Sequence, residues 1–153
     1  MHPEEKLAAL GLQLPAPQRP LGRYLPAVQT GKLLFVAGHL PERDGELQYV
    51  GKVGREWNAE EGYAAARLVA LAMLATVKAS VGDLGRVRRV VKLLGMVNCT
   101  EDYTHPGAVI NGASELFYEL WGEAGMGTRS AVGLQQLPGG AAVEIEAVFE
   151  VGD

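Results

Sequence analysis

The chain has 153 residues and a net charge of -4, with 48% hydrophobic and 21% charged residues, which is ordinary globular composition and enough for one core, so residues 1–153 are read as a single domain. The acidic balance excludes a general attraction to nucleic-acid backbones or anionic lipid, and a lone cysteine, Cys99, excludes an internal disulfide. The start Met1-His2-Pro3-Glu4 has no basic stretch followed by an apolar one, so a cytoplasmic protein is expected.

In chain order, residues 4–10 predict a short helix closed by Gly11, and Pro15, Pro17 and Pro20 then enforce an extended lead-in, making residues 1–21 an N-terminal arm. Residues 24–29 and 33–37 read as strands joined around Thr30-Gly31, with residues 33–36 buried on both faces and Gly38 at the end. Asp44-Gly45 marks a polar turn leading to a short strand at residues 47–50. Asn58, with Glu60 and Glu61 behind it and Gly82 downstream, brackets a helix over residues 59–81, in which Leu68, Leu71, Ala72, Ala75 and Ala79 mark the packed side. The longest apolar run, residues 68–74, is too short to cross a bilayer. A strand at residues 87–97, a helix at 106–121 closed by glycines, and two final strands complete the order. This pattern suits an α+β fold with a mixed sheet and both helices packed on one face. Residues 33–36, 90–94 and 143–149 carry apolar side chains at adjacent positions, so both sides of these strands call for burial and self-association is expected.

Arg129 stands in Gly127-Thr128-Arg129-Ser130-Ala131-Val132-Gly133, a stretch that otherwise reads as buried strand. A guanidinium cannot shed its proton, so it meets a protein carboxylate or awaits a ligand anion, and its planar fork suits a carboxylate. Glu144 and Glu146 share one side of the last strand, beyond the turn Leu137-Pro138-Gly139-Gly140, and an ion pair across a hairpin is one reading. A ligand carboxylate is the other. Metal binding has little support, because His2, His39, His105 and Cys99 are scattered. His39 reads from its residue type as a surface turn histidine, and Cys99 as a strand-end apolar residue. Ser114 lies inside a helix, and no Gly-x-Ser-x-Gly elbow occurs. Arg86, Arg88 and Lys92 share one strand face at period two and read as a solvated face rather than an RNA groove.

Arg129-Ser-Ala-Val132, Leu137-Pro138 and Val143-Glu-Ile-Glu-Ala147 together resemble the C-terminal signature of the RidA (YjgF) family. Gly22-Arg-Tyr24, Val36-Ala-Gly38-His39-Leu-Pro41 and Val109-Ile-Asn111-Gly112 extend the resemblance over residues 22–151, and the arm and the phrase at residues 109–116 are similar to the longer members. The resemblance implies a chorismate-mutase-like homotrimer with sites in clefts between subunits, no cofactor, and a small carboxylate-bearing metabolite as ligand. It further implies enamine/imine deaminase activity, in which 2-imino acids become 2-oxo acids and ammonia. Arg129 would anchor the carboxylate and Glu144 would position or deprotonate water; Tyr24, Asn111, Gly38 and His39 would contribute to binding. Family patterns usually have proline at the position of Arg23 and cysteine at that of Ala131, and often glutamine at that of His39. A noncatalytic carboxylate-binding trimer and an endoribonuclease or translation-inhibitor-like protein are the rival readings.

Overall fold

The computed structural model describes residues 1–153. Helix α1 (Pro3–Ala9) begins where proline has no amide hydrogen to leave unbonded; His2 Nδ1 accepts the Glu4 N–H, and the His2 N–H donates to the Glu5 carboxylate. Leu12 and Leu14 pack on the core, and Pro15 is buried. Gln18 then holds the arm to Leu40, donating to its carbonyl at 2.7 Å and accepting from its N–H at 3.4 Å. Tyr24 precedes the first strand instead of lying in it, and its hydroxyl accepts from the Leu21 N–H at 3.1 Å.

Strands β1 (Ala27–Thr30) and β2 (Leu33–His39) form the expected hairpin, with Gly31 at φ 59° in the turn. The strand expected at residues 47–50 shrinks to a small ribbon of β3 (Glu42–Arg43) and β4 (Glu46–Leu47) around Asp44-Gly45, because Val50 turns away to bridge Ala141.

Helix α2 (Ala59–Val81) has the expected caps: Asn58 accepts from the Glu61 N–H, Glu61 bonds back to the Asn58 amide, and Gly82 takes the left-handed conformation at φ 87°. Its burial is broader than one stripe, since every residue from 69 to 77 is buried while Leu68 is only half-buried and Ala79 is exposed. By length and composition α2 is apolar enough to cross a membrane, a property the run at 68–74 understates. Here that apolarity serves as core, packed beside α3 and on the sheet.

A 3₁₀ turn (Leu84–Arg86) leads into β5 (Val87–Asn98), followed by α3 (Pro106–Trp121), a second 3₁₀ turn (Gly122–Gly125), β6 (Thr128–Leu134) and β7 (Val143–Val151). The sheet order is β1-β2-β7-β5-β6; β5 and β6 are parallel and the other pairs antiparallel. Helices α2 and α3 cover one face, making the mixed α+β layer expected.

Three expectations change. The last two strands are not a hairpin, because β7 enters between β2 and β5 and leaves β6 on the edge. Burial is also one-sided in the chain taken alone. Leu34, Val36, Val90, Leu93, Ile145 and Phe149 enter the core, but Leu33, Phe35 and Val132 remain 36%, 45% and 39% exposed on the opposite face. The basic run divides as well. Arg86 belongs to the 3₁₀ turn and donates to the carbonyls of Val81 and Gly152, while Arg88 reaches those of Gly85 and Asp153. Both tie the carboxyl end to the fold, and no period-two stripe from Arg86 to Lys92 exists.

Candidate functional site

Arg129 pairs in register with Leu93, a core residue of β5, so its side chain leaves the edge strand on the helix-covered face. There its Nη1 donates to Asn111 Oδ1 at 2.7 Å and Ser114 Oγ at 3.2 Å, two acceptors three residues apart on α3. The ion pairs of this chain join His2 to Glu4 and Asp83, Arg55 to Glu56, Arg67 to Glu119 and Lys78 to Glu4, and none includes Arg129. The hairpin ion pair is therefore overturned, since β5 separates β6 from β7. At the helix start Gly107 leaves room beside the guanidinium, where a methyl group would stand 3.1 Å from Nη2. Arg129 and Asn111 form the wall between two clefts. One, of about 610 Å³, is edged by His105, Gly107 and Ala131, and the other, of about 440 Å³, by Ser114, Tyr118 and Met126.

Glu144 lies elsewhere. On β7 it alternates with buried Val143 and Ile145 and faces Met96, so it projects from the open face of the sheet. It shares a cleft of about 530 Å³ with Gly22, Tyr24, Gly38 and Pro138. Gly38 is needed for this approach, because a methyl group there would overlap Glu144 Oε2. Burial, reinforced by the charge of Glu146, pushes the Glu144 carboxyl above the usual glutamate range. The fold thus gathers the expected residues into two half-sites, Arg129 with Asn111 and Glu144 with Gly38 and Tyr24, on opposite faces of one sheet.

His39 joins neither half. Between Val36 and His39, β2 advances three residues while β7 recedes two, from Ala147 to Ile145, and this one-residue bulge returns His39 to the core face. It is 2% exposed rather than a surface turn residue. Its Nδ1 lies 2.6 Å from the Ala37 carbonyl and its Nε2 2.7 Å from Thr76 Oγ1. A carbonyl only accepts, so the proton sits on Nδ1 and the Thr76 hydroxyl donates to Nε2. Burial lowers the pKa of the ring, opposed by the Ala37 bond. A histidine pKa depressed by folding stabilises the fold fully above its unfolded value of about 6.5, and that contribution is lost as pH falls through the folded value. The melting temperature of the wild type relative to His39→Gln should therefore fall between pH 7.5 and 5; a constant difference would contradict this account.

The fold brings His2, one of the scattered histidines, together with Glu4 and Asp83, but the His2 ring accepts the Glu4 N–H through Nδ1 and meets Asp83 Oδ1 at 2.6 Å through Nε2. Both nitrogens thus serve the start of α1. Cys99 is half-buried, and burial pushes its thiol up, which disfavours the thiolate form. Ser114 is the site residue that sequence reasoning passes over, and only its three-residue spacing from Asn111 signals it.

Residues 4–141 match the model of the family described as "YjgF/chorismate_mutase-like, putative endoribonuclease". Protein TCP17 of Trypanosoma cruzi is 43% identical over 148 residues, covering 96% of this chain and 92% of the relative. The crystal structure of Atu1372 from Agrobacterium tumefaciens, a protein of unknown function, is 40% identical with a TM-score of 0.92, covering 98% of this chain and 92% of that one. RidA from the Antarctic bacterium Psychrobacter sp. is 28% identical with a TM-score of 0.62, over 91% of this chain and 96% of that one.

Proposed function

The chain belongs to the YjgF/chorismate-mutase-like family, and from that premise we propose that it is a RidA-like deaminase that hydrolyses reactive 2-imino and 2-enamino acids in clefts shared between subunits of a homotrimer. The observation that carries this reading is the split site. Arg129 meets only neutral acceptors in its own chain, and Glu144 lies on the other face of the sheet. One small substrate reaches both only if a second chain supplies one of them. The apolar open face around Phe35 and Val132 supports association, since such area in water is unfavourable.

In the shared cleft the substrate carboxylate binds the guanidinium fork of Arg129, which places the imine carbon beside Glu144 of the adjoining subunit. Water adds to that carbon of the protonated imine as Glu144 takes a proton from the water, giving a neutral carbinolamine. The carboxylic acid returns the proton to the amine nitrogen, the C–N bond breaks with its electron pair leaving on ammonia, and the hydroxyl proton passes through Glu144 to ammonia as the carbonyl forms. A carboxyl raised by burial is suited to both transfers near neutral pH. No step calls for a cofactor. A ribonuclease role has less support, because Arg86 and Arg88 bind the chain's own carbonyls.

Subunit mixing tests the proposal. Arg129→Ala and Glu144→Ala should each be inactive toward freshly generated 2-iminopropionate, followed as 2-oxo acid release. Co-assembled one to one, they should regain about one quarter of the wild-type rate, because a random trimer places an intact Arg129 against an intact Glu144 at about one site in four. Mixed trimers without recovery would refute the shared site. Wild-type protein that binds 2-oxobutanoate but hydrolyses no imine would establish the carboxylate binder instead.

A further inference from the structure

We propose that Ser114 is a positioning residue: with Asn111 it aims the Arg129 guanidinium while leaving its charge available to the ligand. The inference rests on the carboxylate-binding reading of Arg129 and adds to it a residue and a rule for the groups that may hold the anchor.

Both bonds that Arg129 makes within the chain leave from the same nitrogen, Nη1. Asn111 and Ser114 lie three residues apart on α3, so one rigid helical face presents both acceptors. Fixing Nη1 at two points sets the plane of the guanidinium. The edge formed by Nε and Nη2, a side that can meet a carboxylate with two parallel bonds, makes no bond to the chain. Gly107 keeps the space next to Nη2 clear.

The chemistry of the acceptors matters as much as their placement. An amide oxygen and a hydroxyl oxygen are neutral, so they orient the cation without cancelling it. A carboxylate in the same place would hold the guanidinium more firmly, because a charged bond is stronger, but it would remove the net positive charge that attracts the ligand. Glu115 adjoins Ser114 in sequence, yet it receives the Tyr63 hydroxyl and forms no ion pair with Arg129. Serine at 114 thus joins a fixed geometry to an unquenched charge.

A purely structural role and a ligand-facing role predict opposite results for one substitution. Calorimetric titration of the assembled, full-length protein with 2-oxobutanoate is the readout, alongside thermal melting. Ser114→Ala should weaken binding roughly three- to tenfold, the size of one lost hydrogen bond, and Ser114→Thr should recover most of that loss. Ser114→Asp should melt no lower than wild type, because it pairs with Arg129, and yet bind 2-oxobutanoate at least as poorly as Ser114→Ala. Ser114→Asp binding as tightly as wild type, or Ser114→Ala showing no loss, would overturn the proposal. Arg129→Lys serves as the reference. If it weakens binding while all three Ser114 variants match wild type, the brace alone fails; if wild type binds no 2-oxo acid, the carboxylate reading fails and the brace with it.

Discussion

Replacing Glu144 with glutamine is expected to slow hydrolysis of 2-iminopropionate by about a hundredfold or more, the usual contribution of a positioned general base, while 2-oxo acid affinity changes little. The amide keeps the size and hydrogen-bonding reach of the carboxyl beside Gly38 but cannot accept a proton from water. The pH dependence should follow. Burial and the Glu146 charge raise the Glu144 carboxyl, so the wild-type rate should climb with pH through a value above the ordinary glutamate range, and the residual rate of Glu144→Gln should lack that limb. Stability runs the other way. A carboxyl raised by folding contributes fully below its unfolded value of about 4.3, and that contribution is lost as pH rises through the raised value. The variant should therefore match wild-type melting at acid pH and exceed it at neutral pH. An undiminished rate in Glu144→Gln would remove the residue from the chemistry.

The largest effect on stability is expected at Gly112. It lies where α3 crosses α2, and a methyl group there would overlap the Tyr63 carbonyl oxygen, with the Tyr63 carbonyl carbon at 3.0 Å and the Arg67 nitrogen at 3.1 Å. These are backbone atoms inside a helix, which cannot rotate aside as a side chain can. Gly112→Ala must separate the two helices and should lower stability by about 3 kcal/mol, the upper part of the usual range for overpacking. Gly11→Ala provides the contrast, because nothing stands within 4 Å of a methyl group there and the cost is confined to a strained φ of 73°. Asn111 and Ser114 flank Gly112 on α3, so a shifted helix should also weaken carboxylate binding at Arg129. Denaturant midpoints for the two variants decide the matter. A loss below about 1 kcal/mol for Gly112→Ala would mean that the crossing yields easily.

What the sequence determined by itself was whatever depends on neighbours a few residues apart. The caps Asn58 and Gly82 delimit α2 because each satisfies orphan groups of the adjoining turn, and the bounds Ala59–Val81 follow. Pro106, with no amide hydrogen to leave unbonded, opens α3, and Gly122 at φ 61° closes it. Thr30-Gly31 marks a hairpin and Asp44-Gly45 a turn because the backbone at Gly31, Asp44 and Gly45 needs positive φ. The Arg129 and Glu144 motifs, read together, disclosed the family.

Tertiary structure decided everything that turns on which strands meet. Alternation tells that β7 is a strand but not that it enters between β2 and β5, and that insertion separates Arg129 from Glu144. A one-residue bulge between Val36 and His39 reverses which face His39 takes, and period-two reasoning assigns the wrong face as soon as one residue is unpaired. Arg86 joins a turn whose acceptors, Val81 and Gly152, come from two distant parts of the chain. Ser114 acquires a partner 15 residues away only because β6 returns beside β5, under the helix that carries it. Local sequence fixes the conformation of each segment, but pairing between distant segments is set by the joint burial of their apolar faces, a property of the assembled sheet that no single segment contains.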